Sequence, residues 1–114
     1  CETGDAKITP GFRLPARHVI HTVGPVWHGG QNREKELLGS CYARSIELAL
    51  ACNCSSIAFP NISTGVYGFP KELAAEIAIS AVKLKLAESD APMRVIFALF
   101  DLENETLYKT LLGV

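Results

Sequence analysis

The segment at residues 61–70, NISTGVYGFP, contains the residue types that point most clearly to ligand binding. Gly65 and Gly68 allow the backbone to turn several N–H groups toward one point, and the hydroxyls of Ser63 and Thr64 add hydrogen-bond donors. The helix predicted directly after this segment adds about half a positive charge at its start. The combination suits a phosphate or diphosphate group and needs no Lys or Arg.

The same segment also has a purely structural interpretation. Ser and Thr before a helix are common capping residues. Tyr67 and Phe69, whose rings could lie flat against a sugar or a base, could equally pack in the core. The segment fits neither the Walker lysine pattern nor the dinucleotide-binding glycine pattern. From the residues alone, both interpretations therefore stay open.

A second candidate lies at the end of the last predicted strand. Phe100 and Asp101 are expected to leave the sheet at the same edge as residues 61–70, because ligands of open parallel sheets bind beyond the carboxyl ends of the strands. An aromatic face and a carboxylate could then help to hold one ligand. The alternative is that Phe100 belongs to the core and Asp101 caps a helix.

Other kinds of site find little support. Ser63 lies in a near match to the nucleophile elbow of serine hydrolases, but that mechanism needs a later histidine, and all three histidines come earlier: His18, His21 and His28. Cys41 and Cys52 lie on the apolar stripe of a predicted helix, and Cys52 and Cys54 have poor spacing for zinc. We therefore expect no metal and no cofactor, and the four cysteines are expected to be free thiols.

The elements that must position these residues follow from periodicity and from breakers. Strands are predicted at residues 6–9, 18–23, 56–60 and 94–100, and helices from Glu34 to about Cys52, from Pro70 to about Glu88, and through Leu112 at the end. The strand at 56–60 is of the kind that is buried on both faces. Residues 27–32 are predicted to form a glycine-bearing surface loop, with a surface role for Trp27. The alternation predicts an α/β domain with a largely parallel sheet.

Composition limits the partners. The 114 residues suffice for one domain, and 48% apolar residues are too many for a disordered chain. Eleven Lys and Arg against twelve Asp and Glu leave a net charge of −1, which favours neither nucleic acid nor an anionic membrane. Neither a membrane-spanning run nor a signal segment is found. With free thiols, these features favour a cytoplasmic protein.

Five runs of sequence resemble the macrodomain family, and most closely its MacroD-type branch: residues 3–9, 14–16, 18–25, 56–70 and 95–108. The resemblance implies a three-layer α/β/α fold with a mixed, mostly parallel sheet. It implies binding of ADP-ribose or of an ADP-ribosylated protein. For the MacroD-type branch it also implies hydrolysis of ADP-ribose from mono-ADP-ribosylated acidic side chains and deacetylation of O-acetyl-ADP-ribose.

The resemblance also assigns residues. The family's diphosphate loop, which also borders the distal ribose, matches Ser63, Thr64, Gly65, Val66 and Tyr67. Of these, Tyr67 takes the aromatic position beside the distal ribose. Phe100 matches the aromatic residue that packs against adenine.

The family's glycine-rich catalytic loop has no counterpart in this sequence, so no catalytic residue is assigned. The resemblance implies that residues 1–114 are the C-terminal two-thirds of an N-terminally truncated domain, whose catalysis would need that loop. Two alternatives follow: a non-catalytic module that binds ADP-ribose or diphosphate, or a truncated remnant that forms a homo-oligomer through its exposed side.

Overall fold

A computed structural model describes residues 1–99 and 101–113 of the chain. Its elements follow the predicted order of strand, strand, helix, strand, helix, strand and helix. They are β1 (Ala6–Pro10), β2 (His18–Thr22), α1 (Glu34–Ala51), β3 (Ser56–Phe59), α2 (Lys71–Ala87), β4 (Arg94–Phe97) and α3 (Leu102–Leu112). The α/β class is confirmed.

The described strands form two two-stranded sheets rather than one largely parallel sheet. β1 pairs antiparallel with β2, with Ala6 opposite Thr22, whereas β3 pairs parallel with β4, with Ser56 opposite Arg94. The connections explain this difference. β1 and β2 are joined by the short segment 11–17, which allows antiparallel pairing, while β3 and β4 are joined through a full helix. Antiparallel and parallel pairing therefore both occur, but in two separate sheets among the described residues, and the parallel share is smaller than predicted.

The core lies between the helices and the β3–β4 pair. α1 and α2 pack along their lengths, and α3 packs on α2. A row of aromatic rings connects them: Tyr42 of α1 lies 4.9 Å from Phe59, Phe59 lies 6.3 Å from Phe97, and Phe97 lies 4.8 Å from Tyr108 of α3, between ring centroids. This row anchors the carboxyl end of β3, which leads directly into residues 61–70.

Asp101 caps the last helix, so for this residue the structural alternative is confirmed. Its carboxylate accepts hydrogen bonds from the backbone N–H of Asn104 at 2.8 Å and from the Asn104 side-chain amide at 2.9 Å. The backbone bond and the side-chain bond hold the pKa of Asp101 below its usual value.

We expect this cap to weaken in acid. Because the pKa of Asp101 is lowered in the folded state, its stabilisation is present above the unfolded pKa, about 4, and is lost as the pH falls through the lower folded value. Asp101→Asn should keep the cap, since Asn caps helices as well as Asp does, but without this pH dependence. The measurement is urea unfolding of both proteins from pH 7 to pH 3. An identical loss of stability in both would exclude a contribution from Asp101.

A cleft of about 870 Å³ separates β2 from β3. One wall is formed by residues 15–22 and the other by residues 54–60, with Ser45 and Ala49 of α1 also lining it. Ser56 and Ala58 are exposed, so the prediction that this strand is buried on both faces is wrong. Within the part of the chain that the structure describes, β3 has a strand neighbour on one side only.

Backbone alternation shows which polar groups face the cleft. In β2, the carbonyls of Arg17 and Val23 accept from residues on the β1 side, so odd-numbered residues face β1 and even-numbered residues face the cleft. Along β3, the carbonyl of Ser55 accepts from Arg94, the first residue of β4, and that of Phe59 accepts from Ala98, directly after β4, so alternation again turns the even-numbered residues toward the cleft.

Hydrogen exchange should report this alternation. The amides facing the cleft should exchange at least about tenfold faster than those facing a paired strand, because they lack a ladder partner. The fast set is His18, Ile20, Thr22, Ser56 and Ala58, and the slow set is Val19, His21, Ile57 and Phe59. The measurement is residue-resolved hydrogen–deuterium exchange by NMR. Equal protection of both sets would show that another strand fills the cleft.

Within the described residues, none of the helices combines the length and the apolar character needed to cross a membrane.

Candidate functional site

Residues 61–70 form a compact turn between the end of β3 and the start of α2. The Phe69 N–H donates to the Ser63 carbonyl at 2.9 Å, and the Gly68 N–H donates to the Gly65 carbonyl at 3.0 Å. Ser63 has a φ of 65°, which is uncommon for a residue other than glycine and is found preferentially at functional sites. Pro70 is the N-cap of α2 and supplies no side-chain hydrogen bond, so the start of this helix is not closed by a capping side chain.

Five successive backbone N–H groups of this turn, those of Ser63, Thr64, Gly65, Val66 and Tyr67, have no hydrogen-bond partner among the described residues. The next two N–H groups are used within the turn itself. A run of unpaired N–H groups next to a helix N-terminus is an electrostatic site for an anion, because each N–H carries a partial positive charge and the helix dipole adds to it.

Buried polar atoms at the same place also lack partners. The Ser63 hydroxyl and both polar atoms of the Asn61 side chain are buried without a hydrogen-bond partner among the described residues. Such groups are rare in folded proteins because each costs about 1–3 kcal/mol of desolvation. Asn61 was not among the residues predicted for the site. Its position directly after the predicted strand at 56–60, at the start of the segment 61–70, could have indicated it as a site residue.

The aromatic residues of the turn have different surroundings. Phe69 is buried, and its ring lies 4.8 Å from the ring of Trp27 between centroids, so Phe69 is a core residue. Tyr67 is 42% exposed, and Val66 is fully exposed. Tyr67 is therefore the aromatic side chain of this turn that is open to a ligand. Trp27 is half-buried against Phe69 rather than a surface residue, because the loop at residues 28–32 folds back onto its ring.

Gly24, at the end of the β2 segment, approaches the turn too closely for any side chain. A Cβ at this position would lie 2.2 Å from the Ser63 Oγ and 2.6 Å from the Ile62 Cγ2. The strand predicted at residues 18–23 ends directly before Gly24. The structure adds that its missing side chain makes room for Ser63.

The other predicted positions are placed as follows. Phe100 lies outside the described residues, so its predicted contact with adenine stays a prediction. All four cysteines are free. The Sγ of Cys54 lies 3.7 Å from the His18 Nδ1 across the cleft. Among the described residues, no three His, Cys, Asp or Glu side chains come close enough together to hold a metal ion.

Comparison with known proteins identifies relatives of the whole chain. The family model described as Macro domain matches residues 1–78. The macro domain-containing protein mll7730 of Mesorhizobium japonicum is 56% identical over 108 residues, which are 95% of this chain and 61% of that protein. An O-acetyl-ADP-ribose deacetylase of Klebsiella pneumoniae is 53% identical over 113 residues, which are 99% of this chain and 65% of that enzyme.

A solved structure agrees with these relatives. The Trypanosoma brucei macrodomain in complex with ADP-ribose superimposes with a TM-score of 0.89 at 38% identity, over 99% of this chain and 47% of that chain. The three-layer α/β/α class predicted for the fold is confirmed by this similarity. The matches cover nearly all of this chain and do not support the prediction of an N-terminal truncation. The chain spans 61% and 65% of the lengths of the two relatives.

Proposed function

The chain belongs to the macro domain family, and from this membership we propose that it binds ADP-ribose at residues 61–70. The observation that carries the proposal is the run of five N–H groups in front of α2 that have no partner in the described part of the chain. The residues proposed to contact the diphosphate and the distal ribose are those of this run: Ser63, Thr64, Gly65, Val66 and Tyr67. Phe100 is proposed to contact adenine.

The chemistry of ADP-ribose fits this turn. Its diphosphate carries negative charge at neutral pH, and oriented backbone N–H groups bind such an anion without Lys or Arg. The ring of Tyr67 is exposed enough to lie against a ribose. The Ser63 hydroxyl, which is buried without a partner among the described residues, would donate a hydrogen bond to a phosphate oxygen and would recover its desolvation cost.

We propose that this chain takes part in hydrolysis of ADP-ribose from mono-ADP-ribosylated proteins or in deacetylation of O-acetyl-ADP-ribose. The name of the Klebsiella relative supports the second reaction. In that reaction water adds to the ester carbonyl, the bond between the acyl carbon and the ribose oxygen breaks, the ribose oxygen takes up a proton, and acetate and ADP-ribose leave. No residue of the family's glycine-rich catalytic loop is found among the 114 residues. We therefore expect this chain to bind the nucleotide and to hydrolyse neither substrate.

We further propose that residues 1–114 act as a single domain in the cytoplasm, without a nucleic-acid partner. The free cysteines support the compartment, since disulfides are rare in a reducing cytosol. The edges of β2 and β3 that face the cleft have no strand partner within the described residues, and this supports self-association as the alternative state, in which the cleft is covered by a second copy.

Isothermal titration calorimetry with ADP-ribose tests the proposal, with ADP and ribose 5-phosphate as controls and light scattering to determine the oligomeric state. We expect saturable 1:1 binding of ADP-ribose, weaker binding of ADP, and the weakest binding of ribose 5-phosphate, which lacks the diphosphate. The absence of heat with both diphosphate ligands would contradict the proposed function.

A further inference from the structure

Glu34, the first residue of α1, has a buried carboxylate that the proposed site does not use directly. The residue is 1% exposed. Among the described residues it forms no ion pair with Lys or Arg. Backbone N–H groups hold it instead: those of His28 and Gly30 donate to Oε1 at 2.6 and 3.2 Å, and that of Asn32 donates to Oε2 at 2.6 Å.

These bonds keep the carboxylate charged. Burial acts to raise the pKa of Glu34, but its own backbone N–H and those of the three loop residues outweigh burial, so that its pKa lies below the usual value. A neutral amide of the same shape could not replace it, because Gln has one acceptor oxygen and would turn its NH₂ group toward N–H donors. The conformation of the loop at residues 28–32 therefore depends on this carboxylate.

The loop held by Glu34 packs on Trp27. Gly30 has a φ of 85°, and a Cβ there would lie 3.1 Å from the Trp27 Cη2, so the loop backbone rests directly on the indole ring. The ring of Trp27 packs in turn against Phe69, and its backbone N–H donates to the Tyr67 carbonyl at 2.9 Å. Trp27 thus connects the loop at residues 28–32 to Tyr67 and Phe69, two residues of the turn at 61–70.

We propose that Glu34 is a positioning residue for the nucleotide site: by gathering the N–H groups of His28, Gly30 and Asn32, it holds Trp27 against Tyr67 and Phe69. The inference rests on the proposed function of residues 61–70. The carboxylate does not contact the ligand. It limits the conformations of the turn, so that the five free N–H groups point to one place before the ligand arrives.

Loss of this preorganisation should weaken binding rather than abolish it. If the turn has to be ordered on binding, its backbone and side chains lose conformational freedom. The binding free energy then becomes about 1.4 kcal/mol less favourable, which lowers the affinity about tenfold. The stoichiometry of binding should not change, because the N–H groups themselves remain.

The test is Glu34→Gln, compared with Glu36→Gln as the matched control. Glu36 lies in the first turn of the same helix, and its exposed side chain pairs with Arg33 rather than with the loop. Trp27 is the sole tryptophan of the chain, so its fluorescence reports its packing directly. We expect a red-shifted emission and greater acrylamide quenching for Glu34→Gln without ligand, and an ADP-ribose affinity about tenfold lower. Both properties should be unchanged in Glu36→Gln.

The outcomes separate this inference from the proposed function. ADP-ribose binding by the wild-type protein with unchanged affinity in Glu34→Gln would overturn the inference alone. Absence of binding by the wild type would overturn the proposed function, and the inference with it. A general loss of stability is tested with Val82→Ala, which removes volume from the buried face of α2 and should leave the affinity and the emission of Trp27 unchanged.

If Glu34→Gln does not fold, Trp27→Phe gives the same test. It leaves the three N–H bonds to the Glu34 carboxylate in place and replaces the indole ring, which joins the loop to Phe69, with a smaller phenyl ring. We expect a similar, about tenfold, loss of ADP-ribose affinity by calorimetry. An unchanged affinity in this variant would overturn the role proposed for the contact.

Discussion

Gly65→Glu is expected to abolish ADP-ribose binding and to leave the free energy of unfolding within about 0.5 kcal/mol of the wild-type value. Apart from its chain neighbours, no described residue has an atom within 4 Å of a Cβ built at this position, and the backbone there is not in the left-handed region. The fold therefore has room for the side chain. The ligand does not, because the new carboxylate would occupy the space in front of the free N–H groups and would repel a diphosphate.

Calorimetry and urea unfolding on the same samples check this prediction. The loss of affinity should exceed about a hundredfold, or about 2.7 kcal/mol. Ala87→Glu is the control, since it makes the same change of charge at an exposed position at the opposite end of α2. If Gly65→Glu binds ADP-ribose as the wild type does, the diphosphate does not lie against this turn.

Tyr42→Ala is expected to lower the free energy of unfolding by about 3–5 kcal/mol, because it empties a large volume in the core. Tyr42 is 0% exposed, and its ring packs on Phe59. Its hydroxyl accepts a long hydrogen bond of 3.5 Å from the Ile62 N–H at the start of the turn at residues 61–70. Burial raises the pKa of this hydroxyl well above its usual value, so it stays protonated at every physiological pH. The expected loss is a large part of the 5–15 kcal/mol typical of a small domain.

Two further variants separate volume from hydrogen bonding. Tyr42→Phe keeps the ring and should cost about 1 kcal/mol, the usual value of one hydrogen bond. Tyr67→Ala truncates a partly exposed tyrosine of the neighbouring turn and should cost much less than Tyr42→Ala. The measurement is urea unfolding followed by circular dichroism. Similar losses for Tyr42→Ala and Tyr67→Ala would contradict the packing of α1 on β3.

Helix boundaries were predictable because their signals are local. The apolar spacing that starts at Glu34 predicted a helix to about Cys52, and α1 runs over Glu34–Ala51. Proline as the first residue predicted the start of α2, which begins at Lys71 with Pro70 as its cap. The last predicted strand is shorter than expected, since β4 runs over Arg94–Phe97. Periodicity indicates that a strand exists better than it indicates where the strand ends.

Burial of the strands was not predictable in the same way. The run at 56–60 is apolar and favours a strand covered on both sides, but Ser56 and Ala58 face an open cleft. Whether an apolar strand is covered depends on the strand that lies beside it, which comes from a distant part of the chain. A composition pattern cannot contain that information.

The sequence by itself determined the family and the order of the elements. It also indicated the turn at residues 61–70 as a candidate phosphate site, because glycines, hydroxyls and a helix start act through neighbouring residues. Only the tertiary structure decided which backbone N–H groups are open to a ligand and which side chains pack against the turn that carries them. It left five N–H groups without a partner among residues 1–99 and 101–113, brought Gly24 against Ser63, and buried Glu34 within a loop that supports Trp27. The approach of Gly24 to Ser63 and the packing of Trp27 on Phe69 join segments far apart in the chain, and no local pattern of residues encodes such contacts.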